Sequence, residues 1–137
     1  MLSRKLSINS TTKPTIAIVG AGSWGTAIAI LLAKNGIPTN LWGRDKNKMQ
    51  RISKERCNSF FLPKIYFPEL LNIEHDFSQL ILAADIILVA VPSHAFRATI
   101  KSIKQAKSAI PNLCWASKGL ELGSQKLLHE IVIEEFD

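Results

Sequence analysis

The feature that most restricts this chain is an apolar, β-branched run that stops at a glycine. Thr15-Ile16-Ala17-Ile18-Val19 leads into Gly20-Ala21-Gly22-Ser23-Trp24-Gly25-Thr26-Ala27-Ile28-Ala29. The glycines stand in the spacing G-x-G-x-x-G between an expected strand and an expected helix, and each has a physical task there. Gly20 permits the tight turn out of the strand, Gly22 lets backbone approach a diphosphate with no Cβ in the way, and Gly25 lets the helix pack close to the strand. The new helix points its unpaired N–H groups and positive dipole end at the turn, which stabilises an anion there. The spacing alone is a weak signal. Set between strand and helix, it points to a dinucleotide.

The rest of the chain alternates strand and helix. A helix is expected over residues 23–35, with Ile28, Leu31 and Leu32 on its buried side and Gly36 where a left-handed cap falls. A second strand spans Thr39 to Trp42, and a charged helix spans Lys46 to Arg56. Residues 58–68 hold Pro63, Pro68, Phe60, Phe61, Tyr66 and Phe67, which suits a loop with anchoring aromatics rather than a helix. Most of these aromatics are expected to fill core, with Phe61 near the ligand. A short edge segment follows through Ile73, then a short helix from Asp76 or Ser78 to about Ala84.

Asp85 to Val91 is the strongest strand, and its unbroken apolar character says that both faces are covered, as in a parallel sheet. Pro92 ends it and Ser93 is placed to cap a helix from about Ala95 to Lys107. Leu113 to Ala116 reads as another buried strand, and Ser124 to Phe136 as a helix with a stripe of Leu127, Leu128, Ile131 and Val132. The fold class is therefore α/β, a doubly wound and mostly parallel sheet of the Rossmann type with right-handed crossovers. Strand two should flank strand one, with Asp85–Val91 and then Leu113–Ala116 on the other side. Ligands in such sheets bind beyond the carboxyl ends of the strands, where the strand order reverses.

The totals exclude several function classes. The 137 residues suit one domain. Seventeen Lys and Arg against eleven Asp and Glu give a formal charge of +6, which favours anionic ligands such as phosphates. The basic residues are scattered and no nucleic-acid motif accompanies them. Cys57 and Cys114 have no metal-ligand spacing and form no disulfide framework, so a reducing cytoplasmic setting is the default, and Cys114 reads as core. No apolar run reaches the roughly 18 residues that span a bilayer. Residues 1–14 are polar and read as a flexible tail without the apolar segment of a secretory signal.

Three strand ends should bring further groups to the crevice. Arg44 follows strand two, where dinucleotide sites that select NAD carry Asp or Glu to accept hydrogen bonds from ribose hydroxyls. A guanidinium suits a 2′-phosphate by a forked contact, so NADP(H) is preferred over NAD(H), although Asp45 is placed to reach a ribose. Lys118, just past a buried strand, can reach a phosphate or carbonyl oxygen, or simply be solvated. His94 is more simply structural than a general base. Trp24 either shields the cofactor or packs on a second domain.

Five segments together resemble the amino-terminal portion of bacterial-type NAD(P)-dependent sn-glycerol-3-phosphate dehydrogenases. They are Gly20–Ala27, Leu41–Asp45, Asn58–Pro63, Val91–Phe96 and Trp115–Glu121, ordered and spaced as in that family and covering nearly everything after residue 14. The resemblance implies reduction of dihydroxyacetone phosphate to sn-glycerol 3-phosphate with NADPH or NADH, feeding glycerophospholipid synthesis. Beside the glycine contacts already read from the spacing (Gly20, Gly22 and Gly25), it implies cofactor contacts at Ser23, Trp24 and Arg44, an aromatic near the cofactor at Phe96, and contact of Lys118 with both cofactor and substrate phosphate. It also implies a helical carboxy-terminal substrate domain that carries the proton-donating lysine, which would lie beyond residue 137. On this reading residues 15–137 form a dinucleotide-binding domain cut before its end. The fragment by itself is expected to be inactive, and homodimerisation is left open for a full-length protein. The competing readings are a free-standing dinucleotide sensor and the cofactor half of another two-domain dehydrogenase.

Overall fold

A computed structural model describes residues 12–109 and 111–137. Most of the tail expected over residues 1–14 lies outside the described residues. Strands and helices alternate: β1 (Ile16–Val19), α1 (Ser23–Lys34), β2 (Thr39–Trp42), α2 (Lys46–Glu55), β3 (Leu71–Ile73), α3 (Phe77–Ala83), β4 (Ile86–Val89), α4 (Ser93–Ala106), β5 (Leu113–Trp115) and α5 (Leu128–Phe136). The strands form one parallel sheet in the order β3-β2-β1-β4-β5. The order reverses at β1 and β4, as the doubly wound reading requires.

All four residues of β1 are buried, and their period of two feeds two cores. Ile16 and Ile18 pack with Ala29, Ile30 and Ala33 of α1 and with Met49 and Ile52 of α2. Ala17 and Val19 face the opposite core of Leu80, Ile81, Phe96, Ile100, Ile103 and Ile131, drawn from α3, α4 and α5. Each fully buried side chain of this size contributes roughly 1.5–3 kcal/mol by leaving water. Helices on both faces thus explain the continuous apolar run of β4.

Several expected details change. Helix α1 buries Gly25, Thr26, Ala29, Ile30 and Ala33, while Leu31 is 61% exposed and Ile28 and Leu32 only skirt the core. Small residues let the helix approach the sheet closely, and that outweighs burial of the larger leucine. Pro92, rather than Ser93, is the N-cap of α4, with no side-chain cap. Helix α5 starts at Leu128, not Ser124. Gln125 (φ 57) and Gly123 (φ 95) take the left-handed region, and the preceding stretch closes a turn through a Leu120–Leu127 bridge. Among the described residues β5 pairs with β4 alone, and Cys114, expected in the core, is exposed there as a free thiol. Of the loop aromatics only Phe67 is buried, whereas Phe60, Phe61 and Tyr66 are exposed.

Candidate functional site

A cavity of about 1090 Å³ opens beyond the carboxyl ends of the strands, at the reversal of strand order. Its wall combines the turn Gly20–Trp24, Trp42 at the end of β2 and Arg44 after it, Ala90–Pro92 after β4, His94 on α4 and Ala116–Lys118 after β5. The strand ends are tied at matching heights. The Gly20 N–H donates to the Trp42 carbonyl (2.9 Å), the Ala90 N–H to Val19 (2.8 Å) and the Ala116 N–H to Val89 (2.8 Å).

The three glycines divide the work. Gly20 has φ +121°, and a Cβ there would lie 2.7 Å from the Ala90 carbonyl oxygen. A Cβ on Gly25 would lie 1.9 Å from the Gly20 oxygen, so the start of α1 is pressed against the turn itself. Gly22 differs, because a Cβ there would meet nothing within 4 Å. Packing requires the first and third glycines. The second has no such packing constraint and lines the cavity.

Ser23 and Trp24 open α1 and stand on the cavity wall, with Trp24 59% exposed. Arg44 borders both this cavity and an adjoining one of about 190 Å³ lined by Gly22, Asp45, Lys48 and Phe61 among others. Asp45 is the N-cap of α2, its carboxylate accepting the Lys48 backbone N–H at 3.0 Å. The Lys48 ammonium lies 4.2 Å from the Phe61 ring centroid and 4.7 Å from that of Phe60. Phe61 thus shares a cavity with Arg44. Two cations, Arg44 and Lys48, meet one carboxylate, Asp45, on that wall, which leaves a net positive charge.

Lys118 reaches the far wall, where the Ser117 hydroxyl donates to the Val91 carbonyl (2.5 Å) and locks the end of β5 to that of β4. His94 is exposed on the same wall. Phe96 does not share that wall. Its ring is fully buried in the core beneath α4, edge-on to Trp115 at 5.8 Å, because two residues on from His94 the helix has turned by about 200°, from the crevice toward the sheet. Lys48 and Asn58 escaped the sequence reading. Lys48 sits among ordinary surface lysines of a charged helix, and Asn58 offered only its place at the head of the Asn58–Pro63 segment. Among the described residues no group of three His, Cys, Asp or Glu could hold a metal ion, and no helix is long and apolar enough to cross a membrane.

Residues 15–137 match the family model described as NAD-dependent glycerol-3-phosphate dehydrogenase N-terminus. A glycerol-3-phosphate dehydrogenase [NAD(P)+] of Pseudoalteromonas translucida is 43% identical over 126 residues, which cover 92% of this chain and 38% of that protein. One from Pasteurella multocida is 45% identical over 120 residues, covering 88% and 36%. The crystal structure of a glycerol-3-phosphate dehydrogenase from Coxiella burnetii superposes with a TM-score of 0.85 at 40% identity, over 90% of this chain and 38% of that one. The chain thus spans little more than a third of the length of the relatives it matches.

Proposed function

The chain belongs to the NAD-dependent glycerol-3-phosphate dehydrogenase family, as the match over residues 15–137 shows, and from that premise we propose that it is the cofactor-holding portion of an oxidoreductase. The reaction is reduction of dihydroxyacetone phosphate to sn-glycerol 3-phosphate with NAD(P)H. The observation that carries the reading is Gly22, bare of neighbours at the mouth of a cavity built at the reversal of strand order. A dihydronicotinamide, when bound, supplies the hydride.

The chain's own residues bind and orient. The turn Gly20–Gly25 and the start of α1 receive the diphosphate, with Ser23 and Trp24 beside it. Lys118, across the cavity, neutralises negative charge on cofactor and substrate phosphate. Ketone reduction also needs a proton donor to the developing alkoxide. No described residue is assigned that role, and it falls to the part of the relatives' length that this chain does not span.

NADP(H) is preferred over NAD(H) in this reading. Arg44 and Lys48 face one small cavity, and Asp45, the residue placed to hold ribose hydroxyls, is engaged in capping α2. Calorimetric titration of the full chain should give tighter binding of NADPH than of NADH, and Arg44→Asp should reduce or invert the ratio of their Kd values. An unchanged ratio would remove Arg44 from that role, and binding of neither nucleotide would overturn the reading.

A further inference from the structure

We propose that Asn58 is a positioning residue that aims the Gly22 N–H at the diphosphate; this rests on the dinucleotide reading above. Asn58 is fully buried, 37 residues along the chain from the turn it holds. Its side-chain Nδ2 donates to the Ala21 carbonyl at 3.1 Å and to the Thr26 hydroxyl oxygen at 2.8 Å. A carbonyl oxygen only accepts, so the amide is oriented with its NH2 toward the turn. Its Oδ1 then lies buried with no hydrogen-bond partner among the described residues. A buried acceptor left in that condition costs about 1–3 kcal/mol, set against the two hydrogen bonds by which the same amide holds the Ala21 carbonyl and the Thr26 hydroxyl. What those two bonds fix is the orientation of the Ala21–Gly22 peptide.

Peptide geometry gives that orientation a consequence. In a planar trans peptide the carbonyl and the following N–H point in opposite directions. Drawing the Ala21 carbonyl inward therefore turns the Gly22 N–H outward. Its neighbours are set in the same sense. The Gly22 carbonyl is held by the Thr26 N–H at 3.1 Å, and the Gly20 carbonyl is pressed beneath Gly25. Successive N–H groups facing one concavity form an anion cradle. The Gly22 carbonyl is fixed by the helix ladder, whereas the Ala21 carbonyl depends on a side chain from a distant loop.

The same residue organises the small cavity. The Asn58 carbonyl accepts the N–H groups of Phe61 (3.2 Å) and Leu62 (2.8 Å), which shapes the loop that carries Phe61 onto the wall beside Arg44. One buried amide thus couples the loop to the turn.

The test uses the full chain, its Asn58→Asp variant, which keeps the side-chain shape but replaces the donor with a carboxylate, and Asn58→Leu. ADP-ribose is the probe, followed by calorimetry and by the amide proton shifts of assigned residues, with thermal melts of each unliganded chain. In the parent chain the Gly22 amide should shift downfield on saturation. Each folded variant should bind more than about tenfold more weakly and lose the Gly22 shift, while the shifts around Arg44 persist at saturation. Affinity within about twofold of the parent, or a retained Gly22 shift, would overturn the positioning role. Failure of the parent chain itself to bind ADP-ribose would overturn the dinucleotide reading with it.

Discussion

Gly22 and Gly25 stand three residues apart and are glycines for opposite reasons, so substituting them should separate stability from binding. Gly25→Ala would force a Cβ to 1.9 Å from the Gly20 oxygen, with backbone on both sides unable to yield. It should destabilise the fold by about 3 kcal/mol or more, read as a fall in Tm. Gly22→Ala should leave Tm within about 3 °C of the parent, because φ −76° lies outside the left-handed region and a Cβ there meets nothing within 4 Å. NADPH binding should nevertheless weaken by at least about tenfold. Equal losses of stability in both variants would contradict this division. The tight turn at Gly20 and the close packing at Gly25 were legible in the sequence because the spacing of glycines between strand and helix has few physical solutions. Asn58 was not, since its partners Ala21 and Thr26 come within reach only once the loop folds over the turn. Lys48 likewise gains meaning only when the loop sets Phe61 beneath its ammonium group.

At the scale of elements, pattern located most strands and helices and misjudged which faces they hide. Helix α1 is apolar nearly all round, so periodicity could not distinguish a small-residue face from a leucine face, and Leu31 is exposed. Phe96 on α4 is a sharper case, expected at the cofactor and found in the core. Phe96→Ala should cost about 3–5 kcal/mol by chemical denaturation, while the NADPH Kd of the folded fraction stays unchanged; a selective loss of affinity would return Phe96 to the site. The link between α4 and α5 is electrostatic at its rim. The Arg97 guanidinium forks onto both oxygens of Glu121 (2.6 and 2.8 Å) and also reaches Glu134 and Glu135. The Arg97 hydrogen bonds hold the Glu121 carboxyl down at about 2, against an ordinary value of 4.5. A depressed carboxylate contributes stability above its unfolded pKa and loses it as pH falls through the folded one. The difference in melting temperature between the parent and Glu121→Gln should therefore be full at pH 6 and shrink from pH 4.5 toward about 2. A difference that does not vary over that range would dismiss the pairing as a stabilising contact.

For the whole molecule, alternation of strand and helix was enough to anticipate a parallel sheet with β1 between β2 and β4, and hence the end of the sheet where the cavity lies. What unites the molecule is convergence. The ends of β1, β2, β4 and β5 bring Gly22, Arg44, Pro92 and Lys118 to one cavity from points far apart in the chain. We propose that a diphosphate sits at the glycine turn of that cavity with Arg44 reading the ribose end. Amide NMR of the full chain titrated with NADPH is the decisive experiment. The largest shifts should fall on residues 20–25, with a second group at Arg44, Asp45 and Lys48 that weakens when NADH replaces NADPH. Shifts confined to other surfaces, or none at millimolar nucleotide, would contradict it.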